Sequence, residues 1–511
     1  LFAQRRAPQF TTKQFAFFYS LSIKVMSPQN SIQYLLKVMK QNDADCDIAA
    51  IKRVFQFAHK AHGNQMRKSG ELYIKHPLGT AITLAEMNMN PTIVSAALLH
   101  DIPEDTEIKL AEIKKTFGAD VAGIVEGVTK VGTIKYRGME RYAENLRKMF
   151  VSIAKDPRVI IVKFADRLYN LKTLYALPEE KQKRIAIETL EIYAPIAGRL
   201  GMGEMKDRLE DEAFRYALPQ EYIATRNLVI DRYFEKNRLV QKEIKIVERA
   251  LKKAEMDYIE IHGRAKRLYS LYQKLSRYDN DINKIYDLIA LRILVPTIAD
   301  CYAVLGLIHN TWTPLKGRIK DYISQPKPNG YQSLHTTVFS EEGDILEVQI
   351  RTPEMHREAE YGVAAHLQYK NTKSIPAKKI KWMKELARVQ KQFKGTKEYF
   401  DNLQKIKLDF LQNRIFVFTP HGDVLELPEH ATPVDFAYLI HSDIGNKCSG
   451  ALINGKMCSL DSPLKNGDVV EILIDKKRDG PNSDWIKFVK TDIARSRIKT
   501  HFNKKRNKIG K

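Results

Sequence analysis

Four side chains in the first half of the sequence have the types expected of a metal site. His76, the adjacent pair His100 and Asp101, and the later Asp166 supply two imidazoles and two carboxylates. This mixed set of nitrogen and oxygen donors suits a borderline divalent cation such as Mn²⁺. A cation held there would polarise a phosphate and lower the pKa of a bound water, as hydrolysis of a phosphate ester requires at neutral pH. The set therefore predicts a single metal site for phosphate chemistry.

Charged neighbours strengthen this interpretation, although each of them is weak evidence alone. Glu104 and Asp105 follow the His-Asp pair closely enough to orient the attacking water, and Arg67 and Lys68 place two cations before the first histidine. The alternative is that each histidine is merely a satisfied or exposed side chain on a helix, since a His-Asp dipeptide is common. The ensemble of residues, rather than the dipeptide, favours a hydrolytic site.

A second group of chemically capable residues lies in the segment Gly317–His335, which reads GRIKDYISQPKPNGYQSLH. Its prolines and glycines exclude a regular helix in its second half and favour an extended stretch followed by a turn. Arg318, Lys320 and Lys327 are cations suited to phosphate oxygens, and Tyr331 offers a flat ring for a nucleobase. The segment predicts a loop that binds a nucleotide polyphosphate; the alternative is a solvated surface loop.

Two carboxylates and a basic run flank this loop. Asp287 begins an apolar strand and Glu347 lies on an alternating one, so the pair could hold Mg²⁺ against phosphate oxygens. Glu347 is also placed to take a proton from an attacking ribose hydroxyl. Arg264, Arg267 and Lys274 are predicted to lie within about three turns of one helix, as a clamp for a triphosphate. The alternatives are an exposed polar sheet face and an ordinary solvated basic face.

Composition narrows the classes of protein and partner. The chain carries 84 Lys and Arg against 61 Asp and Glu, and its net charge of +23 favours a polyanionic partner: nucleic acid, an acidic membrane surface or a highly phosphorylated small molecule. Its 511 residues predict about three domains. The four cysteines show no CxxC spacing, which argues against a disulfide framework and fits a reducing cytosol. No apolar run approaches the roughly 18 residues that span a bilayer.

Hydrophobic periodicity predicts the elements that must position these residues. Apolar residues recur at helical intervals through residues 31–200, whereas strand patterns begin near residue 258. The predicted fold class is therefore multidomain. The boundaries that we predict are 1–30 for a disordered or non-native leader, 31–200 for an all-α domain, 201–257 for a helical connector, 258–370 for an α+β domain, 371–412 for a helical linker, 413–475 for a small strand-rich module and 476–511 for a basic helical tail.

The first domain resembles the HD-type phosphohydrolase half of the RelA/SpoT homologue family, which handles the alarmone (p)ppGpp. The resemblance rests on HGNQMRKSG, YIKHP, the HD pair and KFADRLYN, and it covers most of residues 51–200. It implies an all-α hydrolase domain that uses Mn²⁺. The residues that it implies are His76, His100, Asp101 and Asp166 as metal ligands, Glu104 and Asp105 as a catalytic acidic pair, and Arg67, Lys68, Ser69 and Asn170 as nucleotide contacts.

Two positions depart from the family pattern. Pro103 stands where an aliphatic residue is usual, and it is expected to end the helix near Asp101, push Ile102 toward extended geometry and displace Glu104. Tyr169 stands where a histidine is common, but that histidine is not among the implied ligands. A family member whose hydrolase half is inactive is therefore one alternative function.

The α+β domain resembles the (p)ppGpp synthetase domain of the same family, which has a nucleotidyltransferase-like fold. The motifs YDLIALRILV, GRIKDYISQPKPNGYQSLHTTV, EVQIRT and EMHREAEYGVAAH occur in family order between residues 258 and 370. The resemblance implies transfer of the β,γ-pyrophosphate of ATP to the 3′-hydroxyl of GDP or GTP. The residues that it implies are Arg264, Lys266 and Lys274 for the ATP phosphates, Asp287 and Glu347 for Mg²⁺ and catalysis, and Lys327, Asn329, Tyr331 and His335 for the guanine nucleotide, with Tyr331 stacked on the base.

The binding loop also distinguishes two kinds of family member. Arg318-Ile-Lys320-Asp321 is the basic RxKD type that accompanies bifunctional enzymes, whereas members with synthetase activity alone carry an acidic ExDD at this place. The resemblance therefore implies a bifunctional enzyme.

The third module resembles a TGS domain, a small β-grasp fold, through RIFVFTPHGD, ATPVDFAYLIH and LKNGDVVEI. The resemblance implies that His441 approaches the 3′ end of a deacylated tRNA on the ribosome; the alternative is a turn histidine next to a strand. Full-length family members continue into zinc-binding and ACT-type regulatory domains, so the sequence is expected to represent a short form.

The expected partners are ATP, GDP or GTP, (p)ppGpp and, through the TGS domain, the ribosome or deacylated tRNA. Neither a membrane nor DNA is expected as a partner, and the expected location is the cytoplasm. A rival from a different class is a non-catalytic regulator that binds RNA. Two complete sets of acidic residues argue against this rival, because a binding protein needs neither.

Overall fold

The structure is a computed structural model that describes residues 31–132, 152, 155–285, 288–327, 329–341, 343–367, 414–420, 424–465 and 467–509. The predicted leader, the predicted linker 371–412 and Asp287 lie outside these ranges. The chain divides into two compact units, residues 1–389 and 390–511. None of the helices in the described ranges is both long and apolar enough to cross a membrane.

The first described segments, up to residue 200, are helical, as predicted. The largely buried helix Pro91–Leu99 begins where Asn90 accepts a hydrogen bond from the backbone N–H of Ile93 (3.1 Å), with a proline in its first turn. The only strand-like pairing described in this region is an isolated bridge between Met66 and Leu72. The helices are Ile32–Asn42, Ile48–His62, Lys75–Glu86, Pro91–Leu99, Ile102–Asp105, Leu110–Phe117, Ala119–Gly132, Arg158–Lys172, Glu179–Glu188 and Ala194–Arg199, with the short turns Leu174–Ala176 and Thr189–Tyr193.

Two further helices, Gly203–Ala217 and Pro219–Lys253, occupy the predicted connector. The first of them packs against Arg158–Lys172 of the helical region and also against Leu268–Leu275 and Pro353–Tyr361 of the α+β region. The connector therefore joins the helical and α+β regions into one unit.

A five-stranded sheet follows the connector. Its strands are β1 (Glu260–Ala265), β2 (Ile289–Leu294), β3 (Lys320–Asp321), β4 (Leu334–Phe339) and β5 (Ile345–Arg351), in the order β1-β2-β5-β4-β3. β2 and β5 are parallel, and every other neighbouring pair is antiparallel. This mixed sheet and the helices next to it confirm the α+β fold that the sequence predicts for this region.

Side-chain alternation gives this sheet one apolar face. Leu291 pairs with Val348, and Ile293 pairs with Ile350, so these four buried side chains point to the same side. Helices Leu268–Leu275 and Ile298–Thr311 contribute to the same core, as does the long connector helix. The opposite face is left for polar side chains.

One helical prediction in this region is wrong. Arg264 does not share a helix with Lys274, because it lies on β1, where it pairs with Ala290 of β2. The helix begins only at Leu268, after Arg267 in extended conformation. A sheet partner distant in sequence satisfies the backbone of Arg264, and the basic spacing could not reveal that partner.

Two backbone segments of the larger unit approach closely at Gly362. Its φ is +54°, and a Cβ at this position would lie 2.1 Å from the carbonyl oxygen of Leu200. The backbone N–H of Val363 donates to the same oxygen at 2.9 Å. Only glycine allows both this conformation and this contact between the helical and α+β regions.

Gly362→Ala is therefore expected to destabilise the larger unit by about 2–5 kcal/mol, through left-handed backbone strain plus steric overlap. The matched control is Gly343→Ala, since Gly343 also has a positive φ (+81°) but no atom within 4 Å of a Cβ. That control should cost only about 1–2 kcal/mol. Urea unfolding followed by circular dichroism measures both, and equal midpoints would contradict the account of this contact.

The second unit contains two groups of strands. β6 (Arg414–Phe418) pairs with β7 (Val424–Pro428), and β8 (Cys448–Ile453) lies between β9 (Lys456–Cys458) and β10 (Val470–Ile474). A parallel bridge between Phe418 and Val469 connects the two groups. Among the described residues of this unit, the helical segments are Pro433–Ile440, Ser442–Lys447, Ser483–Lys487 and Asp492–Ile509.

A buried carboxylate ties the last helix to this module. Asp435 is fully buried and accepts hydrogen bonds from the backbone N–H groups of Thr432 (2.9 Å), Lys490 (3.0 Å) and Thr491 (2.7 Å). The apolar side chains of the last helix share a core with Pro433–Ile440. The helix Asp492–Ile509 is therefore part of the folded unit.

Candidate active sites

The four predicted metal ligands meet at one point of the helical region. His76 Nε2 lies 3.3 Å from Asp101 Oδ2 and 3.2 Å from Asp166 Oδ1. His100 Nε2 lies 3.0 Å from Asp101 Oδ1 and 3.9 Å from Asp166 Oδ1. Both histidines and Asp166 are buried, and they come from three different helices or their ends. The packing of these helices thus assembles the donor set.

The hydrogen bonding of His100 suits a metal ligand. Its Nδ1 lies 2.8 Å from the carbonyl oxygen of Ala97, so Nδ1 carries a proton and Nε2 is the nitrogen that faces the cluster and would bind a metal. This Nε2 is buried and faces the carboxylates of Asp101 and Asp166, at 3.0 and 3.9 Å. The ligand atoms of His76, His100 and Asp101 all lie within 4.8 Å of one another. Nitrogen and oxygen atoms that lie this close to one another can bind one cation together, so the residues fit a divalent metal ion.

The electrostatics of the cluster favour positive charge. Burial lowers the pKa of His100, but Asp101 and Asp166 outweigh this effect and raise that pKa to about 9. Burial would raise the pKa of Asp166, yet Lys163, whose Nζ lies 2.7 Å away, and the two histidines hold it far below its usual range. The carboxylates therefore remain ionised at neutral pH.

The helix before Pro103 ends at Leu99, as predicted, but Pro103 does not push Ile102 into extended geometry. Asp101 has a helical backbone (φ −90°, ψ −12°), and the short helix Ile102–Asp105 follows it directly with the proline in its first turn. A proline fits there because its missing N–H would have no intrahelical partner. Ile102 is helical rather than extended, and the N–H of Glu104 donates to the carbonyl oxygen of Asp101 at 3.1 Å.

A tyrosine that the sequence analysis did not single out links the acidic pair to the ligands. Tyr73 OH lies 2.5 Å from Asp105 Oδ2 and 3.1 Å from Asp101 Oδ2, and its ring stacks on His62. Glu104 is exposed to solvent, and partial desolvation raises the pKa of its carboxyl, although Lys163 opposes this. Both members of the predicted acidic pair therefore lie beside the metal ligands.

The predicted nucleotide contacts of this site are only partly connected to it. Arg67 donates to Asn170 Oδ1 at 2.6 Å, and Asn170 donates to Asp166 Oδ1 at 2.6 Å. Ser69 has a buried hydroxyl with no hydrogen-bond partner among the residues that the structure describes, whereas Lys68 is exposed. Arg67 and Asn170 are thus coupled to a metal ligand, and the roles of all four residues stay predictions.

The second candidate site is the polar face of the sheet. Side chains of directly paired residues point to the same side, so the strand register decides which residues meet. The register pairs Lys320 with His335, His335 with Gln349, Thr337 with Glu347, Gln349 with Arg292, and Arg292 with His262. This face therefore carries charged and hydrogen-bonding groups from all five strands.

Glu347 lies at the centre of the predicted guanine site. Its Oε1 lies 3.2 Å from His335 Nδ1, and His335 Nε2 lies 2.8 Å from Tyr331 OH. Lys327 Nζ lies over the rings of Tyr322 (4.5 Å) and Tyr331 (4.9 Å). Burial lowers the pKa of both His335 and Lys327. The structure brings Lys327, Tyr331, His335 and Glu347 together.

The remaining predicted residues are more dispersed. Arg264 is tied to Asp207 of the connector at 3.1 Å, and Lys274 lies on the helix Leu268–Leu275. Asn329 Oδ1 accepts a hydrogen bond from the N–H of Tyr331 at 3.2 Å. Lys266 follows β1, and Arg318 and Lys320 are exposed at the start of the loop. Asp287, the other predicted Mg²⁺ ligand, lies outside the described residues.

Sequence reasoning missed a buried ionic group beside this face. Arg351 and Arg292 both donate to Glu360 Oε1, at 3.0 and 3.1 Å, and the two arginines are 0% and 3% exposed. Burial alone would raise the pKa of Glu360, but the arginines lower it to about 2. Alternation did place Arg351 on the face of Glu347. Glu360, however, comes from the next helix, and Arg292 lies beside Arg351 only because β2 pairs in parallel with β5.

His441 lies between two helices of the second unit, rather than next to a strand. It is exposed, and its Nδ1 accepts a hydrogen bond from the N–H of Asp443 at 3.2 Å. This bond caps the helix Ser442–Lys447, so His441 has a local structural role, and its contact with tRNA stays a prediction.

Comparison with protein-family models gives three matches. Residues 54–203 match an HD domain, residues 263–374 match a region found in RelA/SpoT proteins, and residues 415–474 match a TGS domain. The matches follow one another in the order of the two candidate sites and the strand-rich module.

Three relatives illustrate the similarity over most of this chain. A GTP pyrophosphokinase of Myxococcus xanthus is 45% identical over 473 residues, covering 90% of this chain and 61% of the relative. A guanosine-3′,5′-bis(diphosphate) 3′-pyrophosphohydrolase of Aquifex aeolicus is 45% identical over 461 residues, covering 89% and 64%. A bifunctional (p)ppGpp synthase/hydrolase RelA of Mycobacterium tuberculosis is 41% identical over 486 residues, covering 93% and 65%.

The chain spans about three fifths of the length of these relatives. Over that part, the domain matches agree with the structure. The HD match covers the helical region with its His-Asp cluster, and the RelA/SpoT match covers the mixed sheet with its polar face. By these matches, the chain belongs to the RelA/SpoT family.

Proposed function

We propose that the chain is a bifunctional alarmone enzyme, which makes (p)ppGpp from ATP and GDP or GTP and hydrolyses it to GDP or GTP and pyrophosphate. The observation that carries this proposal is the presence of two separate constellations in one unit, the His-Asp cluster and the polar sheet face around Glu347. The names of the relatives, a pyrophosphokinase, a pyrophosphohydrolase and a bifunctional enzyme, support both halves.

For hydrolysis, the proposed ligands of Mn²⁺ are His76, His100, Asp101 and Asp166. A bound Mn²⁺ would polarise the phosphate and lower the pKa of a water. Glu104 and Asp105 accept the proton of the water while its oxygen attacks the phosphorus attached to O3′, and the bond between that phosphorus and O3′ breaks. The acidic pair returns a proton to O3′, and pyrophosphate leaves. Arg67, Lys68, Ser69 and Asn170 hold the nucleotide.

For synthesis, Glu347 takes the proton of the ribose 3′-hydroxyl, and O3′ attacks the β-phosphorus of ATP. The bond between this phosphorus and the bridging oxygen of the α-phosphate breaks, so AMP leaves and the pyrophosphoryl group is transferred. Glu347 and Asp287 are the proposed ligands of Mg²⁺, which would neutralise charge on the phosphates. The proposed nucleotide contacts are Arg264, Lys266 and Lys274 for ATP, Lys327, Asn329, Tyr331 and His335 for the guanine nucleotide, and Arg318 and Lys320 for phosphate oxygens.

A synthetase with an inactive hydrolase half is the second candidate. This alternative depends on the displacement of Glu104 by Pro103. The helical conformation of Ile102 speaks against such a displacement. We therefore prefer the bifunctional enzyme.

We also propose the cytoplasm as the location, which the four free cysteines support. The TGS domain is the proposed contact with deacylated tRNA on the ribosome, through the exposed His441. His441→Ala is expected to abolish the stimulation of synthesis by ribosomes carrying deacylated tRNA. The unstimulated rate of the same variant should equal that of the wild type, and persistent stimulation would exclude this role.

The experiment that tests the synthetase proposal uses the purified chain, Mg²⁺, ATP and either GDP or GTP. The expected products are the guanosine tetra- or pentaphosphate and one AMP for each molecule formed. Conversion of ATP to ADP, or the absence of AMP, would exclude pyrophosphoryl transfer.

A further inference from the structure

A chain of hydrogen bonds crosses the polar face of the sheet and ends at the proposed catalytic base. Glu360 accepts from Arg292 (3.1 Å) and from Arg351 (3.0 Å). Arg292 NH2 also reaches Gln349 Oε1, at 3.5 Å. Gln349 Nε2 then donates to Glu347 Oε1 at 3.0 Å. The chain therefore joins the helix Pro353–Tyr361 to β2 and β5.

The orientation of the Gln349 amide is fixed at both ends. A guanidinium offers only donors, so the amide oxygen must face Arg292, and the amide nitrogen must face Glu347. A flipped amide would set N–H against N–H at one end and oxygen against carboxylate at the other. Arg292 is itself 3% exposed and held by Glu360, so its position does not depend on solvent.

Glu347 receives a second donor from the neighbouring strand. His335 Nδ1 lies 3.2 Å from the same Oε1, and Tyr331 OH lies 2.8 Å from His335 Nε2. The carboxylate selects the tautomer with the proton on Nδ1, so the imidazole donates to Glu347 and accepts from Tyr331. Oε1 is therefore fixed by two N–H groups, one from β5 and one from β4.

We infer that Gln349 is a positioning residue for pyrophosphoryl transfer. It connects Arg292, which Glu360 holds in place, to the carboxylate of Glu347 and so fixes the position of that carboxylate. The inference rests on the proposed synthetase function. A catalytic group must stay within about 0.5 Å of its productive geometry, and residues on rigid strands meet this demand better than residues on loops. Gln349 lies two residues from Glu347 on β5, where strand alternation brings both side chains to one face.

Two substitutions separate positioning from packing. Gln349→Glu keeps the size of the side chain and an acceptor for Arg292, but it replaces the donor to Glu347 with a second carboxylate. Gln349→Leu removes both contacts. If Gln349 only anchored the buried arginine, Gln349→Glu would retain full activity. We expect both variants to lower the kcat of synthesis by about 10²-fold, with KM for GDP within about twofold, because a misplaced catalytic group costs roughly this factor.

The controls use the same preparations. Hydrolysis of ppGpp with Mn²⁺, and GDP binding measured by calorimetry without a divalent metal, should match the wild type and show that the fold and the guanine site are intact. Gln182→Glu, the same substitution in the helical region, should leave synthesis unchanged. Wild-type kcat in Gln349→Glu, or lost GDP binding in both variants, would overturn the positioning role. A wild-type chain that makes no (p)ppGpp would overturn the proposed function itself, and the inference with it.

Discussion

Replacing His100 with alanine is expected to slow (p)ppGpp hydrolysis by about 10³-fold or more, equivalent to about 4 kcal/mol, and to leave synthesis unchanged. The substitution removes the Nε2 that lies 3.0 Å from Asp101 and faces the cluster. It also takes one proposed ligand away from the cluster with Asp101 and Asp166, so a divalent cation should bind more weakly. Pyrophosphate release from ppGpp with Mn²⁺ measures the first effect, and calorimetry with Mn²⁺ measures the second.

The matched control for this prediction is His59→Ala, because His59 is an exposed histidine on the helix Ile48–His62. It should hydrolyse ppGpp at the wild-type rate. Retained synthesis by the His100 variant shows that the larger unit is folded. A His100 variant that binds Mn²⁺ and hydrolyses ppGpp normally would contradict the assignment of this ligand.

Glu347→Gln is expected to lower synthesis by about 10²–10⁴-fold, the usual contribution of a general base, while hydrolysis continues. Glutamine has almost the shape of glutamate, but it cannot accept the proton of the ribose hydroxyl. It also turns an acceptor that His335 and Gln349 share into an amide, so the hydrogen bonds at this position would be rearranged. Formation of AMP and ppGpp from ATP and GDP measures the effect.

Glu341→Gln serves as the control, because Glu341 is exposed in the turn between β4 and β5. Its rate of synthesis should be unchanged. Full synthesis by Glu347→Gln would remove Glu347 from the mechanism, whatever the fate of the other residues on this face.

The proposed hydrolase site is the more predictable of the two. Its ligands are distinctive residue types in short motifs, and helical periodicity suffices to place them on helices that pack together. The helix Pro91–Leu99 ends before Asp101, as predicted. The error was to expect an extended Ile102 from the restriction on residues before proline. The chain instead starts a new short helix at Ile102, in which a proline in the first turn is favourable.

The proposed synthetase site is less predictable because it depends on strand register. Alternation along β5 correctly placed Glu347, Gln349 and Arg351 on one face. Nothing in the local sequence shows that β2 runs parallel to β5, so the meeting of Arg292 with Gln349 and Glu360 could not be foreseen. The misplacement of Arg264 on a helix has the same cause, since its strand is defined by its partner on β2.

The central claim is that one chain contains both activities, and the hydrolysis of ppGpp by the wild-type chain tests it most directly. The chain is loaded with Mn²⁺, freed of ATP and incubated with ppGpp, and the products are separated by chromatography. The account predicts GDP and pyrophosphate in equal amounts, from a preparation that makes ppGpp when it is given Mg²⁺, ATP and GDP. Intact ppGpp after metal loading, from a preparation that still synthesises it, would contradict the account and leave the chain a synthetase alone.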